Sequence, residues 1–245
     1  MSYHAQRIAE FCLTHRIPCT AENCEAFDTL YAKLLSFNAH TNITAITEAA
    51  AVCDKHFLDS LYPLAFGLFP ESACVLDLGC GGGFPGLPLS VMRRDLTVTF
   101  LDSTAKKLLF VKQMAEEFSL NANVVSARAE DWISGHREAF DVVVSRAVAD
   151  LPILCELALP YVKVGGKFIA YKSQKGCDLK DKSSELSRSA NALSHLGGII
   201  DAVYDTPLFG ENGETAEHAV AVIKKIEVTD TIYPRKFAAI KKQPL

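Results

Sequence analysis

The sequence predicts an α/β protein built around a doubly wound, mostly parallel sheet. Three observations carry this prediction. Short apolar, β-rich runs alternate with stretches of helical spacing from about residue 73 onward, a glycine-rich loop follows the first of these runs, and the first 70 residues are helical in character. Strongly apolar strands separated by helices are typical of βαβ units, because helices cover both faces of such a sheet.

The first 70 residues predict two helices. In residues 27–37 the apolar side chains follow the i, i+3, i+4, i+7, i+8 spacing of one helix face. The stretch NAHTNITAITE then breaks the pattern. A further helix is expected over residues 49–61, with Val52 and Leu58 on its buried side. It should end before Pro63, because proline disfavours a helical conformation in the residue that precedes it.

Seven strand-like runs make up the predicted sheet. The first five are CVLDLG, LTVTFLD, NVVSA, FDVVVSRA and GGKFIAYK. Between them TAKKLLFVKQMAEEF and LPILCELALPYV have helical spacing, and Ser103 or Thr104 is the expected N-cap of the first of these helices. The last two runs, GGIIDAVYDTPL and EHAVAVIKKI, have no helix between them and predict an antiparallel pair at the sheet edge.

Length and composition fit one elaborated domain. With 245 residues, 49% hydrophobic and 22% charged, the chain can bury an ordinary core. We expect a helical N-terminal extension over residues 1–70, a core over 71–228 and a basic C-terminal tail over 229–245. The opening residues do not resemble a signal peptide, and no uncharged apolar run reaches the roughly 18 residues of a membrane span. A cytoplasmic protein without membrane contact is therefore expected.

The eight cysteines are scattered and include no C-x-x-C pair, which favours reduced thiols over a disulfide framework or a metal site. The net charge of −4 argues against a protein that coats nucleic acid uniformly. Two local zones are nevertheless basic: residues 163–188 hold seven basic and three acidic residues, and residues 224–245 hold six and two. Such zones suit a polyanion docked at one face, although a solvated surface is the ordinary alternative.

The stretch DLGCGGGFPGLPLS, residues 77–90, is the main candidate for a binding loop. In a doubly wound sheet the loop after the first strand is where backbone approaches the ligand. One register gives G-x-G-x-x-G at residues 81–86, which is typical of dinucleotides. The other gives D-x-G-x-G-x-G from Asp77, which fits S-adenosylmethionine. Pro85 and Pro88 each remove an amide that could have bound phosphate, so the loop favours the phosphate-free ligand.

Acidic residues at the ends of the next two strands fit the same ligand. Asp102 ends the second strand, where a carboxylate accepts hydrogen bonds from ribose hydroxyls; its alternative role is to cap the following helix. After the third strand, Glu130 or Asp131 could meet an adenine amino group while Ala129 packs on the ring. A dinucleotide enzyme would need a second half or a catalytic domain, for which no residues remain.

Several motifs together resemble the RsmG (GidB) family, the bacterial 16S ribosomal RNA guanine-N7 methyltransferases. They are NITAITE, KHFLDSLYPL, VLDLGCGGGFPGLPLS, FLDSTAKKLLFVKQ, ARAED, FDVVVSRAVADL and YPRKFAAIKKQPL, in the family's order and over nearly the whole chain. The resemblance implies a seven-stranded methyltransferase (Rossmann-like) fold with a small helical N-terminal part. It also implies S-adenosylmethionine as donor and a guanosine in the decoding-centre loop of 16S rRNA, or of the small ribosomal subunit, as acceptor. We expect neither DNA nor a metal as partner, and we favour a monomer.

The resemblance adds residues to the predicted site. The H-x-x-D-S motif maps to His56, Asp59 and Ser60, and the S-R-A motif contains Arg146. Cys80 departs from the family, where a small hydroxyl residue or alanine is expected. With the loop and strand arguments, the predicted cofactor-binding residues are Gly79, Gly81, Gly83, Phe84, Asp102, Ala129, Glu130 and Arg146.

Arg146 and His56 are the predicted catalytic residues, in positioning roles. Arg146 ends the fourth strand, where methyltransferases that act on amines carry an Asn/Asp-Pro-Pro-Tyr segment. A cation at this point could hold a substrate phosphate or the cofactor carboxylate. The alternative for Arg146 is a helix-capping or surface-paired arginine, and the alternative for His56 is a structural role. The predicted RNA-binding residues are Lys172, Arg235, Lys236, Lys241 and Lys242.

Two other functions fit parts of the pattern. An NAD-dependent oxidoreductase would use the G-x-G-x-x-G register. A non-catalytic RNA-binding module would use the basic zones alone. In either RNA-related function, Tyr233 and Phe237 of the C-terminal tail, interleaved with cations, would suit stacking on RNA bases and contacts with phosphates. If the tail has neither role, it is a frayed end.

Overall fold

The computed structural model describes residues 2–209 and 215–245. The α-helices are α1 (Tyr3–His15), α2 (Ala21–Asn38), α3 (Ala49–Val52), α4 (Asp59–Ala65), α5 (Gly86–Met92), α6 (Ala105–Glu117), α7 (Ala129–Trp132), α8 (Leu151–Ala158), α9 (Glu185–Arg188), α10 (Ala190–Leu196) and α11 (Phe237–Lys242). A π-helix spans Cys53–Leu58, and short 3₁₀ segments span Leu159–Tyr161 and Lys175–Cys177. The strands are β1 (Cys74–Leu78), β2 (Thr97–Asp102), β3 (Ala122–Ser126), β4 (Phe140–Arg146), β5 (Val162–Ser173), β6 (Gly198–Asp205), β7 (Leu208–Phe209), β8 (Thr215–Ala216) and β9 (His218–Lys225).

Seven strands form the main sheet in the order β3-β2-β1-β4-β5-β9-β6. The first five in that order run parallel, while β9 pairs antiparallel with both β5 and β6. The last strand in the chain therefore inserts between β5 and β6. The predicted doubly wound sheet with an antiparallel pair at one edge is confirmed. β7 and β8 pair with each other outside this sheet.

Each face of the sheet carries one hydrophobic cluster. The first cluster joins α1, α2 and the π-helix to α5, α6 and one face of β1, so the N-terminal helices share a core with the sheet. The second joins α8, α10 and α11 to the opposite face. The central strands are buried on both sides, as Val142, Val143 and Val144 in β4 illustrate. Such strands read as continuous apolar runs, which is how the sequence revealed them.

The helix predicted over residues 49–61 differs from the observed one. The chain passes from α3 through the π-helix into α4, which contains Pro63 in its interior, so the prediction that the helix ends before Pro63 is wrong. In the π-helix the amide of Asp59 donates to the carbonyl of Asp54, five residues back. This wider turn shifts the hydrogen-bond ladder just before the proline, and burial of Leu61 and Pro63 stabilises the continuation.

The C-terminal segment is folded rather than frayed. Tyr233 and Ile240 are buried in the second cluster, and Ile240 belongs to α11. All eight cysteines are free thiols. Within the two described ranges, no helix is long and apolar enough to cross a membrane. The same residues contain no group of three side chains able to hold a metal ion.

Candidate active site at the carboxyl edge of the sheet

A cavity of about 820 Å³ opens at the carboxyl ends of the parallel strands. Its walls come from the glycine loop after β1, the ends of β2 and β4, the start of α7 and the π-helix. Pockets of about 300–1,000 Å³ are typical of small-molecule sites, and this edge is where open α/β sheets bind ligands. The strand order explains where the cavity lies. Because β1 lies between β2 and β4, the loops that follow these three parallel strands meet at the same edge of the sheet.

The glycines of the loop have distinct reasons to be glycine. Gly79 and Gly81 adopt positive φ angles of 70° and 53°, a region that costs other residues strain. A Cβ atom on Gly79 would lie 2.3 Å from Cγ2 of Val148, whereas one on Gly81 would meet no atom within 4 Å. Because Gly81 also lines the cavity, any side chain added there would project toward open space that a ligand needs. A Cβ on Gly83 would lie 2.5 Å from Leu87.

The start of α5 offers no amide for a pyrophosphate. The Gly86 amide donates to the Asp77 carboxylate at 2.8 Å, and the Leu87 amide donates to the Gly83 carbonyl at 2.7 Å. Pro85 and Pro88 have no amide hydrogen. Over residues 85–88 every backbone donor is thus either engaged or missing. This arrangement favours the phosphate-free ligand over a dinucleotide, which places its pyrophosphate on such a helix start.

Asp102 joins the glycine loop to the next helix. One carboxylate oxygen accepts from the Gly81 amide at 2.9 Å, and the other accepts from the Thr104 amide at 2.7 Å. The contact with Thr104, the N-cap residue of α6, closes a turn before the helix, and no side chain caps the helix itself. A carboxylate has about four acceptor positions, so two remain for ribose hydroxyls at the cavity wall. Ala129 and Glu130 line the same wall at the start of α7.

Asp77 lies beneath the loop and is fully buried. One of its oxygens accepts from Gly86, while Oδ1 has no hydrogen-bond partner among the described residues. Burial raises the pKa of Asp77 to about 7, although the Gly86 hydrogen bond opposes the shift. A carboxyl group with a raised pKa in the folded state stabilises the fold while it is protonated, and this contribution is lost as the pH rises through the folded pKa.

Replacing Asp77 with asparagine should therefore change how stability depends on pH. Asparagine keeps an acceptor for the Gly86 amide but cannot ionise. Relative to the unchanged protein, Asp77→Asn should gain about 2–3 kcal/mol of unfolding free energy between pH 5 and pH 8. Urea denaturation at both pH values measures this. Asp95→Asn is the matched control, because its Arg93 partner lowers the pKa of Asp95 to about 2, outside this range. A constant difference between Asp77→Asn and the unchanged protein would contradict the prediction.

The opposite wall of the cavity is organised by Asp59, which is almost entirely buried. Its Oδ2 accepts from Nη1 of Arg146 at 2.8 Å, and its Oδ1 lies 3.0 Å from Nδ1 of His218. Burial by itself would raise the pKa of Asp59, but His218 and Arg146 hold that pKa below its ordinary value. Arg146 also donates to the Lys55 carbonyl at 2.9 Å. The guanidinium is thus fixed by the π-helix segment and cannot swing freely.

His56 lies between this wall and the glycine loop. Its ring stacks on Phe84 at a centroid distance of 4.7 Å and an interplanar angle of 13°. Nε2 lies 2.9 Å from the Thr44 hydroxyl, and Nδ1 lies 3.4 Å from Nη2 of Arg146. Burial and the neighbouring Arg146 charge lower the pKa of His56 to about 4. The ring is therefore neutral at physiological pH, which suits positioning.

The predicted RNA-binding cations fall into two groups. Lys172 and Arg235 are paired with carboxylates. Nζ of Lys172 lies 2.6 Å from Oε2 of Glu185, with 8% of the lysine side chain exposed, and Nη2 of the half-buried Arg235 lies 2.6 Å from Oε2 of the buried Glu156. RNA binding would need free charges at these two positions, and the structure shows both cations paired. The pairing of Arg235 has a clear cause, because the buried Glu156 carboxylate needs a cationic partner. Lys236, Lys241 and Lys242 are exposed, with Lys236 paired to Asp131.

His218 is the residue that reasoning from the sequence missed. It lines the cavity, yet it stands 159 residues from its partner Asp59. One signal could have found it. An antiparallel strand begins at the edge where its parallel neighbours end, so the first residue of EHAVAVIKKI that enters the sheet belongs at the ligand-binding edge.

Comparisons with known proteins agree with this architecture. The model of the family described as "rRNA small subunit methyltransferase G" (GidB) matches residues 23–196. Curated proteins of that name include one from Brevibacillus brevis, 38% identical over 243 residues and 98% of each chain. Another, from Alkaliphilus metalliredigens, is 42% identical over 216 residues and 86% of each chain.

Solved structures show the fold. A SAM-dependent methyltransferase from Methanosarcina mazei is similar with a TM-score of 0.52 and 18% identity, over 68% of this chain and 99% of that one. A predicted O-methyltransferase from Agrobacterium tumefaciens has a TM-score of 0.51 and 16% identity, over 72% and 83%. The predicted Rossmann-like methyltransferase fold is thereby confirmed. Because the family model matches residues 23–196 and the Brevibacillus brevis protein is 38% identical over 98% of the chain, this chain belongs to the rRNA small subunit methyltransferase G family.

Proposed function

We propose that this protein transfers the methyl group of S-adenosylmethionine to N7 of a guanosine in the decoding-centre loop of 16S rRNA. Membership of the family makes it a methyltransferase of small-subunit rRNA. The observation that carries the finer proposal is the two-sided cavity. One wall has the open backbone of Gly81 and the Asp102 carboxylate without a phosphate site, and the other has a fixed cation and a neutral histidine.

The methyl donor is S-adenosylmethionine, which supplies a methyl group on a positively charged sulfur. The residues of the first wall fit it. The open space over Gly81 admits the ligand close to the backbone, and the remaining acceptor positions of Asp102 suit ribose hydroxyls. Ala129 and Glu130 are placed for the adenine ring and its amino group. We assign these residues to holding the donor, together with Gly79, Gly83 and Phe84 of the loop.

The chemistry at N7 needs no general base. Guanine N7 has a lone pair in the ring plane and no proton to remove, whereas a general base is commonly worth about 10²–10⁴-fold where one is needed. What the site must supply is alignment of the two reactants and an environment that tolerates a moving positive charge. Arg146 and His56 suit the first task, because both are held by neighbours on the π-helix and the loop.

Two observations weigh against the alternatives. The engaged amides at the start of α5 disfavour an NAD-dependent oxidoreductase. A non-catalytic RNA-binding module would have no use for a cavity of about 820 Å³ that holds the Asp102 carboxylate on one wall and the Asp59–Arg146 pair on the other. The exposed Lys236, Lys241 and Lys242 lie on the folded tail and are proposed RNA contacts of the enzyme.

The test is transfer of radiolabelled methyl from S-adenosylmethionine to small ribosomal subunits and to free 16S rRNA from a strain that lacks the enzyme. We expect label in a single guanosine, and cleavage of the RNA there after the base loss typical of N7-methylguanosine. Gly81→Val is the control: its side chain would enter the ligand space and abolish transfer. Because valine is strained at a φ of 53°, circular dichroism must show that the fold is intact. A labelled product that resists this cleavage, or label in a base other than guanine, would contradict the N7 assignment.

The pH dependence offers a separate check. Because the pKa of His56 lies near 4, the ring does not titrate between about pH 6 and pH 8.5. Single-turnover rates should therefore show no limb that depends on His56 in this range. If such a limb appears and disappears in His56→Gln, proton transfer by His56 would replace the positioning role.

A further inference from the structure

The buried Asp59 has a second partner that the proposed function leaves unused. Arg146 occupies one of its oxygens, and His218 occupies the other at 3.0 Å. A buried carboxylate needs compensation, and Arg146 already supplies a full charge with two further contacts to the same segment. Arg146 alone therefore balances the charge of the Asp59 carboxylate, and charge balance does not explain the contact with His218.

The strand order places His218 on the acceptor side of the cavity. His218 begins β9 and pairs with Ser173 at the end of β5. Neighbouring strands lie about 4.8 Å apart, so β9 is about 14 Å from β1 and about 19 Å from β2 in the order of the sheet. The residues that we assign to holding the donor lie at the end of β2 or in the segments that follow β1 and β3. His218 is thus too far across the sheet to serve the adenosine part of the donor.

The ring of His218 is oriented and has one nitrogen to spare. Asp59 accepts a hydrogen bond only from a protonated nitrogen, so Nδ1 carries the hydrogen. Nε2 has no hydrogen-bond partner among the described residues, and 35% of the side chain is exposed at the cavity wall. An Asp–His pair of this kind fixes which way the free nitrogen faces.

We propose that Nε2 of His218 forms a hydrogen bond with the target nucleotide and is a substrate contact of the methyl transfer. The assignment rests on the proposed function. Guanine suits either state of the ring: its N1–H and amino group donate to a neutral Nε2, and its O6 accepts from a protonated one. N7 stays free in both cases, as attack on the methyl group requires. Asp59 is then a positioning residue, which aligns Arg146 and His218 from one point.

Two matched variants separate this role from a structural one. The amide nitrogen of asparagine reaches the place of Nδ1, so His218→Asn keeps the contact with Asp59 and loses Nε2. The amide of glutamine reaches the place of Nε2, so His218→Gln keeps a polar group toward the nucleotide. His195→Gln, at an exposed histidine on α10 whose Nδ1 contacts only a helix carbonyl, is the control.

The measurement is kcat/KM for small ribosomal subunits, with binding of S-adenosylmethionine followed by calorimetry. We expect all variants to bind the donor within about twofold of the unchanged protein. His218→Asn should lose about tenfold or more in kcat/KM, the worth of one hydrogen bond, while His218→Gln should stay within about threefold. An active His218→Asn beside an impaired His218→Gln, or equal rates in both, would overturn the assignment. Failure of the proposed function is recognisable separately in the unchanged protein, as absence of transfer or as label that is not at guanine N7.

Discussion

Replacing Arg146 with methionine is expected to lower methyl transfer by roughly 10²–10³-fold, the cost of losing one fixed charged donor in an active site. Arg146 ends β4 at the centre of the cavity, where its guanidinium contacts Asp59, the Lys55 carbonyl and the Nδ1 side of His56. The same change leaves Asp59 buried with His218 as its remaining partner. Breaking a buried ion pair costs about 3–5 kcal/mol, so the variant should also be less stable.

A second variant separates the two effects. In the double variant Asp59→Asn with Arg146→Met, the stranded carboxylate is neutral, so most of the lost unfolding free energy should return. Activity should not return, because the cation is still missing. Urea denaturation and single-turnover rates on small ribosomal subunits measure both quantities. If activity recovers in step with stability, Arg146 only supports the fold and its assignment to the reaction is wrong.

Replacing Arg235 with alanine is expected to destabilise the whole protein by about 3–5 kcal/mol. Glu156 in α8 is completely buried. Arg235 donates three hydrogen bonds to its carboxylate, from the backbone amide at 2.9 Å, from Nε at 2.8 Å and from Nη2 at 2.6 Å. The alanine variant would leave that carboxylate without a cation. For a chain of this size the loss corresponds to a fall in Tm of roughly 6–20 °C.

Neighbouring cations provide the comparison. Lys241 and Lys242 are exposed near the end of the same tail and form no ion pair among the described residues. Alanine at either position should change Tm by less than about 2 °C, while the double variant Glu156→Gln with Arg235→Ala should recover part of the loss. Equal Tm values for Arg235→Ala and Lys241→Ala would show that the tail does not anchor to the core. A truncation before Tyr233 would remove the anchor together with the exposed cations, so point variants are the better test of RNA binding.

Much of the architecture was predictable because its causes are local. The strands β1, β2 and β4 are largely apolar runs with buried central residues, as parallel strands covered on both faces must be. The positive φ angles of Gly79 and Gly81 need glycine wherever the loop turns. Pro85 and Pro88 lack an amide whatever surrounds them. These residues determined the sheet, the position of the cavity and the preference for a ligand without phosphate.

Tertiary structure decided which charges are available. From the sequence, Lys172 and Arg235 are cations in basic zones, as Lys241 is. Only the fold brings Glu185 to one and Glu156, 79 residues away, to the other. A buried carboxylate must find a cation wherever the chain places one, and no local pattern encodes that meeting. The pairing of Asp59 with His218, across 159 residues, has the same origin.

The helix that contains Pro63 shows that tertiary structure also decided the path of the backbone. Local rules end a helix before a proline, but the π-helix widens the preceding turns and burial of the following side chains outweighs the local preference. Asp59 directly follows the π-helix and contacts Arg146 at the cavity. The sequence by itself determined the type of fold, the ligand loop and the family. The acceptor wall depends on contacts between distant segments, whose energies exist only once the sheet has brought those segments together.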